Sequence, residues 1–84
     1  MTQKDFENIL EENLITWNDI VKITIYNPNY NIFRFRPKTL TFEGALGYHR
    51  NDAIVNLLIQ GDKPFESINL YFNFEQILGI NKVK

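Results

Sequence analysis

Cysteine is absent from the chain, which excludes disulfide bridges and thiolate metal sites together. Histidine is nearly absent: His49 alone is too little for a nitrogen-rich zinc set. No phosphate-binding fingerprint occurs either. Gly44-x-x-Gly47 lacks the lysine and the strand–loop–helix setting of such a loop, and its glycines mark a bulge or bend in a long strand instead. No metal and no cofactor are expected. Long apolar runs are missing too, far short of the ~20 residues a membrane span needs, so no membrane partner is expected. The opening MTQKDFENIL carries acids and no apolar core, unlike a signal peptide. Together with the absent cysteines this points to a reducing, cytoplasmic setting.

Catalytic groups are equally scarce. Glu11 and Glu12 are adjacent, so they diverge on a helix and cannot face each other as an acid–base pair. His49 stands near Asp52 at a strand end, where a histidine beside Arg50 is ordinarily surface. An enzyme is not expected.

What the 84 residues do contain is period. They make one domain. Phe6, Ile9, Leu10, Leu14 and Trp17 recur at helical spacing, with Glu7, Glu11 and Glu12 on other faces. Thr2 and Asp5 form the start signal of that helix, and Trp17-Asn18-Asp19 reads as its exit. Beyond it the period drops to two. Val21, Ile23 and Ile25 alternate with Lys22, Thr24 and Tyr26, and Phe33 and Phe35 with Ile32, Arg34 and Arg36; Leu40, Phe42, Leu46 and Tyr48, then Val55, Leu57 and Ile59, then Ile68, Leu70 and Phe72 each continue one face at the same period. Turn residues separate the runs at Asn27-Pro28-Asn29, Pro37-Lys38, Asn51-Asp52 and Gly61 to Pro64.

Register follows from the loops. A two-residue turn at Asn51-Asp52 sets Tyr48 opposite Val55 and Leu46 opposite Leu57. The loop over Asp62 to Phe65 sets Ile59, Leu57 and Val55 opposite Ile68, Leu70 and Phe72. A tight link at Pro37-Lys38 sets Phe35 opposite Leu40 and Phe33 opposite Phe42. An odd-length loop at Asn27-Pro28-Asn29 sets Ile23 opposite Phe33. All these connections put one apolar set on one face. Residues 53–60 also fit a short helix capped by Asp52 and ended by Gly61, but their length and matching neighbours favour a strand. Asn73, Gln76 and Gly79 predict a short C-terminal helix. The expected fold is α+β: an N-terminal helix and a short C-terminal helix on one face of a five-stranded antiparallel meander over residues 1–84. A small β-barrel with a helix is the alternative.

Charge is unevenly spread. Residues 1–19 set Lys4 against five acids, a net −4, while residues 20–50 set Lys22, Arg34, Arg36, Lys38 and Arg50 against Glu43 alone, a net +4. The expected hairpin puts Lys22 opposite Arg34 and Tyr26 near Tyr30 on its outer face. Directly opposed like charges cost a few tenths to ~1 kcal/mol, so an anionic partner would relieve them. Lys22, Tyr26, Tyr30, Ile32, Arg34 and Arg36 are therefore the candidate partner-binding residues. A merely solvated basic face is the plain alternative. Elsewhere on that face, Ile54, Leu58 and Tyr71 stand among Thr39, Thr41, Asn56 and Asn69, the mixed composition of a binding patch.

These features point to a small protein-binding module, an inhibitor or adaptor that occludes a partner with an acidic surface. A nucleic-acid-binding domain using hairpin 20–38 is the second reading, opposed by a pI near 5.7. Homodimerisation through the same face is the third. Residue types with AT-rich codons (Phe, Tyr, Met, Ile, Asn, Lys) number 40 against 12 with GC-rich codons (Gly, Ala, Arg, Pro). That bias points to a low-GC bacterium, its phage or a mobile element.

Overall fold

The N-terminal segment forms the capped helix that its spacing predicts, but a shorter one. In the computed structural model, which describes residues 1–30, 37–61 and 66–83, α1 spans Gln3–Glu12. The Thr2 hydroxyl accepts from the Asp5 N–H (3.1 Å), and the Asp5 carboxylate accepts from the Thr2 N–H (3.4 Å). Two of the four orphan donors of the first turn are thereby satisfied.

The helix stops before Leu14 and Trp17. Ile15 N–H donates to the Leu10 carbonyl (2.9 Å) and Leu14 N–H to the Glu11 carbonyl (3.3 Å), the paired 6→1 and 5→2 bonds of a Schellman close. Leu14 sits where glycine is usual, with φ 53°. The stripe breaks there: Ile15 turns into the core, whereas Leu14 and Trp17 are 77% and 71% exposed. Both were expected on the buried face of the helix.

Five strands follow: β1 (Ile20–Tyr26), β2 (Thr39–His49), β3 (Ile54–Gln60), β4 (Ser67–Phe72) and β5 (Ile77–Lys82). They form one antiparallel sheet in the order β4-β3-β2-β1-β5. It is not closed into a barrel. The β2–β3 and β3–β4 registers agree with the turn-based reading, including Leu46 opposite Leu57 and Leu57 opposite Leu70. Residues 53–60 supply a strand, not a helix.

Two expectations need correction. The predicted strand over Phe33 and Phe35 lies outside the described residues, but its predicted place is taken. Ile23 stands opposite Phe42 on one side and Ile80 on the other, so β1 has no free edge for Phe33. The fifth strand is β5, which returns to β1 instead of continuing a meander. The predicted C-terminal helix shrinks to one 3-10 turn, Phe74–Gln76. Gln76 N–H bonds the Asn73 carbonyl, and the Gln76 side chain accepts from the Asn73 N–H, both at 3.0 Å. After that turn the chain is extended. A register shift between Thr24 and Ile25 leaves Leu78 as an extra residue, so inward-facing Ile77 and Ile80 are three apart. That spacing imitates a helix.

The inner sheet face forms the core with Phe6 and Ile15; Val21, Ile23, Val55, Leu57 and Ile77 are wholly buried. The Phe6 ring lies edge-on to Tyr48 (5.3 Å between centroids) and 5.4 Å from Phe74. The Tyr48 hydroxyl donates to Glu7 (2.7 Å), which also pairs with Arg50 at 3.2 Å. Burial, then the bond to Glu7, pushes the Tyr48 phenol above its usual range.

Curvature is strong. Phe42 and Phe72 have ring centroids 5.9 Å apart. On a flat sheet they would lie about 10 Å apart across two strand spacings and about 20 Å apart along the strands. The curl brings Gly44 of β2 against β3, where a Cβ would stand 2.7 Å from the Leu58 carbonyl oxygen.

The link from α1 to β1 is fixed by Asp19, whose carboxylate accepts from the Thr16 N–H (2.8 Å) and lies 3.4 Å from Lys82 Nζ. The Thr16 bond leads in holding the Asp19 carboxyl below its usual range, against partial desolvation and with help from Lys82. A depressed native pKa means that the carboxylate's stabilising effect is complete above the unfolded value, about 3.9. The effect fades as pH falls through the native value. Accordingly, Asp19→Asn should lower stability at pH 6 in denaturant titrations. The gap from wild type should narrow at pH 3; a gap independent of pH would contradict this account. Leu14→Gly should act in the opposite direction. Left-handed geometry costs a non-glycine residue ~1–2 kcal/mol, partly offset by the greater unfolded freedom of glycine. A net gain of about 0.5–1 kcal/mol corresponds to a melting point roughly 2–8 °C higher for a domain of this size.

Candidate binding face

Strand alternation assigns the outer face from the register alone. It runs in rows across the sheet: Gly47, Asn56 and Tyr71; then Ile20, Ala45, Leu58 and Asn69, extended by Val83 beside Ile20; then Asn81, Lys22 and Glu43 on one side and Gln60 and Ser67 on the other; then Gly79, Thr24 and Thr41. No described helix lies over these rows, and the surface is graded along the strands. Its middle is polar, while one end is apolar and rich in side-chain amides.

At that end the chain enters β1 through Asn18, which has φ 71°. Asn18 N–H donates to the Leu46 carbonyl, and Leu46 N–H to the Asp19 carbonyl, both at 2.9 Å. These bonds extend the β1–β2 ladder and set Trp17 beside the outer face. Trp17, Gly47, His49, Asn56, Leu58 and Asn69 line a hollow of about 250 Å³. A second hollow of about 300 Å³, lined by Ile20, Glu43, Ala45, Leu58 and Gln60, adjoins it through the shared Ala45 and Leu58. Together they form a shallow trough. Tyr71, 66% exposed, and Ile54 and Ile20, also exposed, flank it.

Asn56 is the polar centre of the trough. Its side chain lies over Gly47, where a Cβ would strike the Asn56 amide and push it aside. Asn56 Nδ2 donates to Asn69 Oδ1 at 3.4 Å, while Asn56 Oδ1 is buried without a hydrogen-bond partner. An unsatisfied buried acceptor costs ~1–3 kcal/mol.

The residues singled out in the sequence divide into three sets. Tyr26 and Tyr30 do meet, with ring centroids 6.4 Å apart in an edge arrangement, and both are exposed. A turn produces this pairing: Tyr30 N–H donates to the Asn27 carbonyl (3.0 Å). Buried Asn27 holds the turn, accepting from Asn29 N–H (2.9 Å) and donating to the Pro37 carbonyl (2.8 Å). Lys22 is exposed on the outer face as expected, but its cross-strand neighbours are Glu43 and Asn81. The like-charge opposition with Arg34 is not its environment. Ile32, Arg34 and Arg36 lie outside the described residues. Trp17 was missed, because helical spacing placed it in the core. The Asn18-Asp19 exit signal beside it was the available clue.

No family model matches the chain, and no curated protein or solved structure resembles it. The face therefore has to be read from its own chemistry. Asn56→Leu keeps the side-chain shape and removes the orphaned oxygen, so it should stabilise the fold by about 1 kcal/mol. Urea unfolding, with an unchanged slope, is the measurement; a loss of stability would show that Asn56 is satisfied.

Proposed function

We propose that the chain is a non-enzymatic protein-binding module, an inhibitor or adaptor that occludes its partner through the outer sheet face. The observation that carries this reading is the exposed trough. Trp17, Ile20, Ile54 and Tyr71 stand around Leu58 and side-chain amides on a face that no described helix covers. Aromatic anchors with neutral hydrogen-bonding groups are the composition of interface cores. Glu43 beside Lys22 reduces the local excess of positive charge, so the trough supplies the anchors. Preference for an acidic partner surface then rests on Arg34 and Arg36.

Site-specific crosslinking tests the reading. A photoreactive residue at Tyr71 should trap a discrete protein from a low-GC bacterial host, whereas one at exposed Glu75 should not. Trp17→Ala and Ile20→Lys should each abolish the product while circular dichroism stays unchanged. No product at Tyr71, or the same product at both positions, would overturn it. The nucleic-acid reading draws on the exposed Tyr26–Tyr30 pair, since aromatic faces stack on bases. Gel shifts at low salt decide that reading, and absence of any shift removes it.

A further inference from the structure

The two edges of the sheet differ in how they are protected. The β5 edge carries the Leu78 bulge and Gly79, and ends in Lys82, which is tied to Asp19 and to the Leu14 carbonyl. Bulges and lysines are the usual guards against strand pairing. The β4 edge, Ser67–Phe72, reads SINLYF. It has no charge, no proline and no bulge in its pairing with β3. Ile68 is on the core-facing side yet 62% exposed, and Tyr71 is exposed on the other side.

The free backbone groups of this edge can be identified. Gly61 N–H donates to the Glu66 carbonyl, so 61–66 is a bonded pair. Antiparallel ladders alternate bonded and non-bonded pairs, making 59–68, 57–70 and 55–72 the bonded pairs of β3 and β4. The other side of β3 agrees. Leu46 bonds toward the β1 side, so Ala45, Gly47 and His49 bond β3 through Leu58, Asn56 and Ile54, which leaves residues 55, 57 and 59 for β4. Ser67, Asn69 and Tyr71 therefore direct their N–H and C=O groups away from the sheet. No described residue outside the sheet hydrogen-bonds to them.

We infer that this edge pairs with β4 of a second copy, antiparallel, about a two-fold axis through Asn69. That register satisfies every free group. Asn69 exchanges both bonds with Asn69 of the second copy, and Ser67 does so with Tyr71 of the second copy, twice by symmetry. Six N–H···O bonds form, and none of the outward groups of these three residues is left over. On the inner face Ile68 meets Leu70 of the second copy, covering the exposed isoleucine. On the outer face the two Asn69 amides stack across the axis, and Ser67 lies beside Tyr71. No like charges oppose, because the strand has none. A second copy fits for that reason: SINLYF is its own neutral complement, and the isologous contact closes after two chains. The result is a continuous ten-stranded sheet with the two outer faces side by side. Six residues bury less than the about 1,200 Å² typical of stable interfaces, so association belongs in the micromolar range.

Sedimentation of the full chain from about 1 µM to 1 mM tests this. The mass should rise from 10.0 kDa toward twice that value. Asn69→Lys and Asn69→Glu each place like charges directly opposite across the axis and should remain monomeric. An equimolar mixture of the two should regain the dimer, because unlike charges then face each other. Asn69→Pro removes an outward N–H without touching the pairing with β3, and should weaken association at least about tenfold through the two lost bonds. Leu78→Lys, on the other edge, should change nothing. A wild type that stays monomeric, a dimer that persists in Asn69→Lys, failure of the mixture to recover, or open-ended aggregates would each overturn the inference. Crosslinking at Tyr71 by a chain that stays monomeric would leave the binding proposal intact, so the two can fail separately.

Discussion

The structure depends on β2 being long enough to serve two neighbours and bent enough to turn between them. Its first half pairs with β1 and its second half with β3, and both meet at Ala45, which stands opposite Ile20 and Leu58. Gly44 adjoins this junction, and a side chain there would strike the Leu58 backbone. The curl that follows brings Phe42 to Phe72. It also explains how a chain of 84 residues acquires a core when its described residues include one ten-residue helix. A flat five-stranded sheet would need a broad second layer to cover it. A curled one covers much of its own inner face, and α1 contributes a single wholly buried side chain, Phe6. Burying a side chain of that size is worth about 1.5–3 kcal/mol, a large fraction of the stability expected of a small domain.

What could be read in the sequence follows from which signals are local. The period of two through Val55, Leu57 and Ile59 sets one face, and the loops at Asn51-Asp52 and after Gly61 fix register, because a one-residue slip would invert both strands. The outer-face positions of Asn56, Leu58, Asn69 and Tyr71 were legible for the same reason. Partner choice is not local. Phe33 and Phe35 carry the same alternation as Leu40 and Phe42, so pattern alone does not decide which pair meets Ile23. The Asn27 turn is real, and Tyr26 does meet Tyr30, yet a correct turn did not identify the strand's partner.

Two errors share another cause: an irregularity with no sequence marker. At Leu14 the helix closes through a left-handed residue that is not glycine, so the apolar spacing continues past the end of the helix and draws Trp17 into the expected core. At Leu78 a bulge changes the inward spacing from two to three, so the strand behind the genuine Asn73–Gln76 turn lacks the plain alternation that would have identified it. At Leu14 backbone geometry overrides the apolar period, and after Gln76 it overrides cap residues that mark no more than one turn.

Local costs cluster on the convex face, where the proposed binding role would account for them. Asn and Gly are both poor strand formers, yet Gly47 and Asn56 stand opposite each other in the middle of the sheet. The side chain they accommodate leaves a buried oxygen without a partner. Beside them Asn18 holds a left-handed backbone and Trp17 exposes an indole. The inner face shows less of this: among the described residues its buried side chains are apolar apart from Asn27, whose amide is hydrogen-bonded, and its register is regular apart from Leu78. A sequence shaped only for stability would spread such departures or remove them. Gathered at one end of one face, next to an edge strand without charge, they are local costs that the proposed binding role would account for.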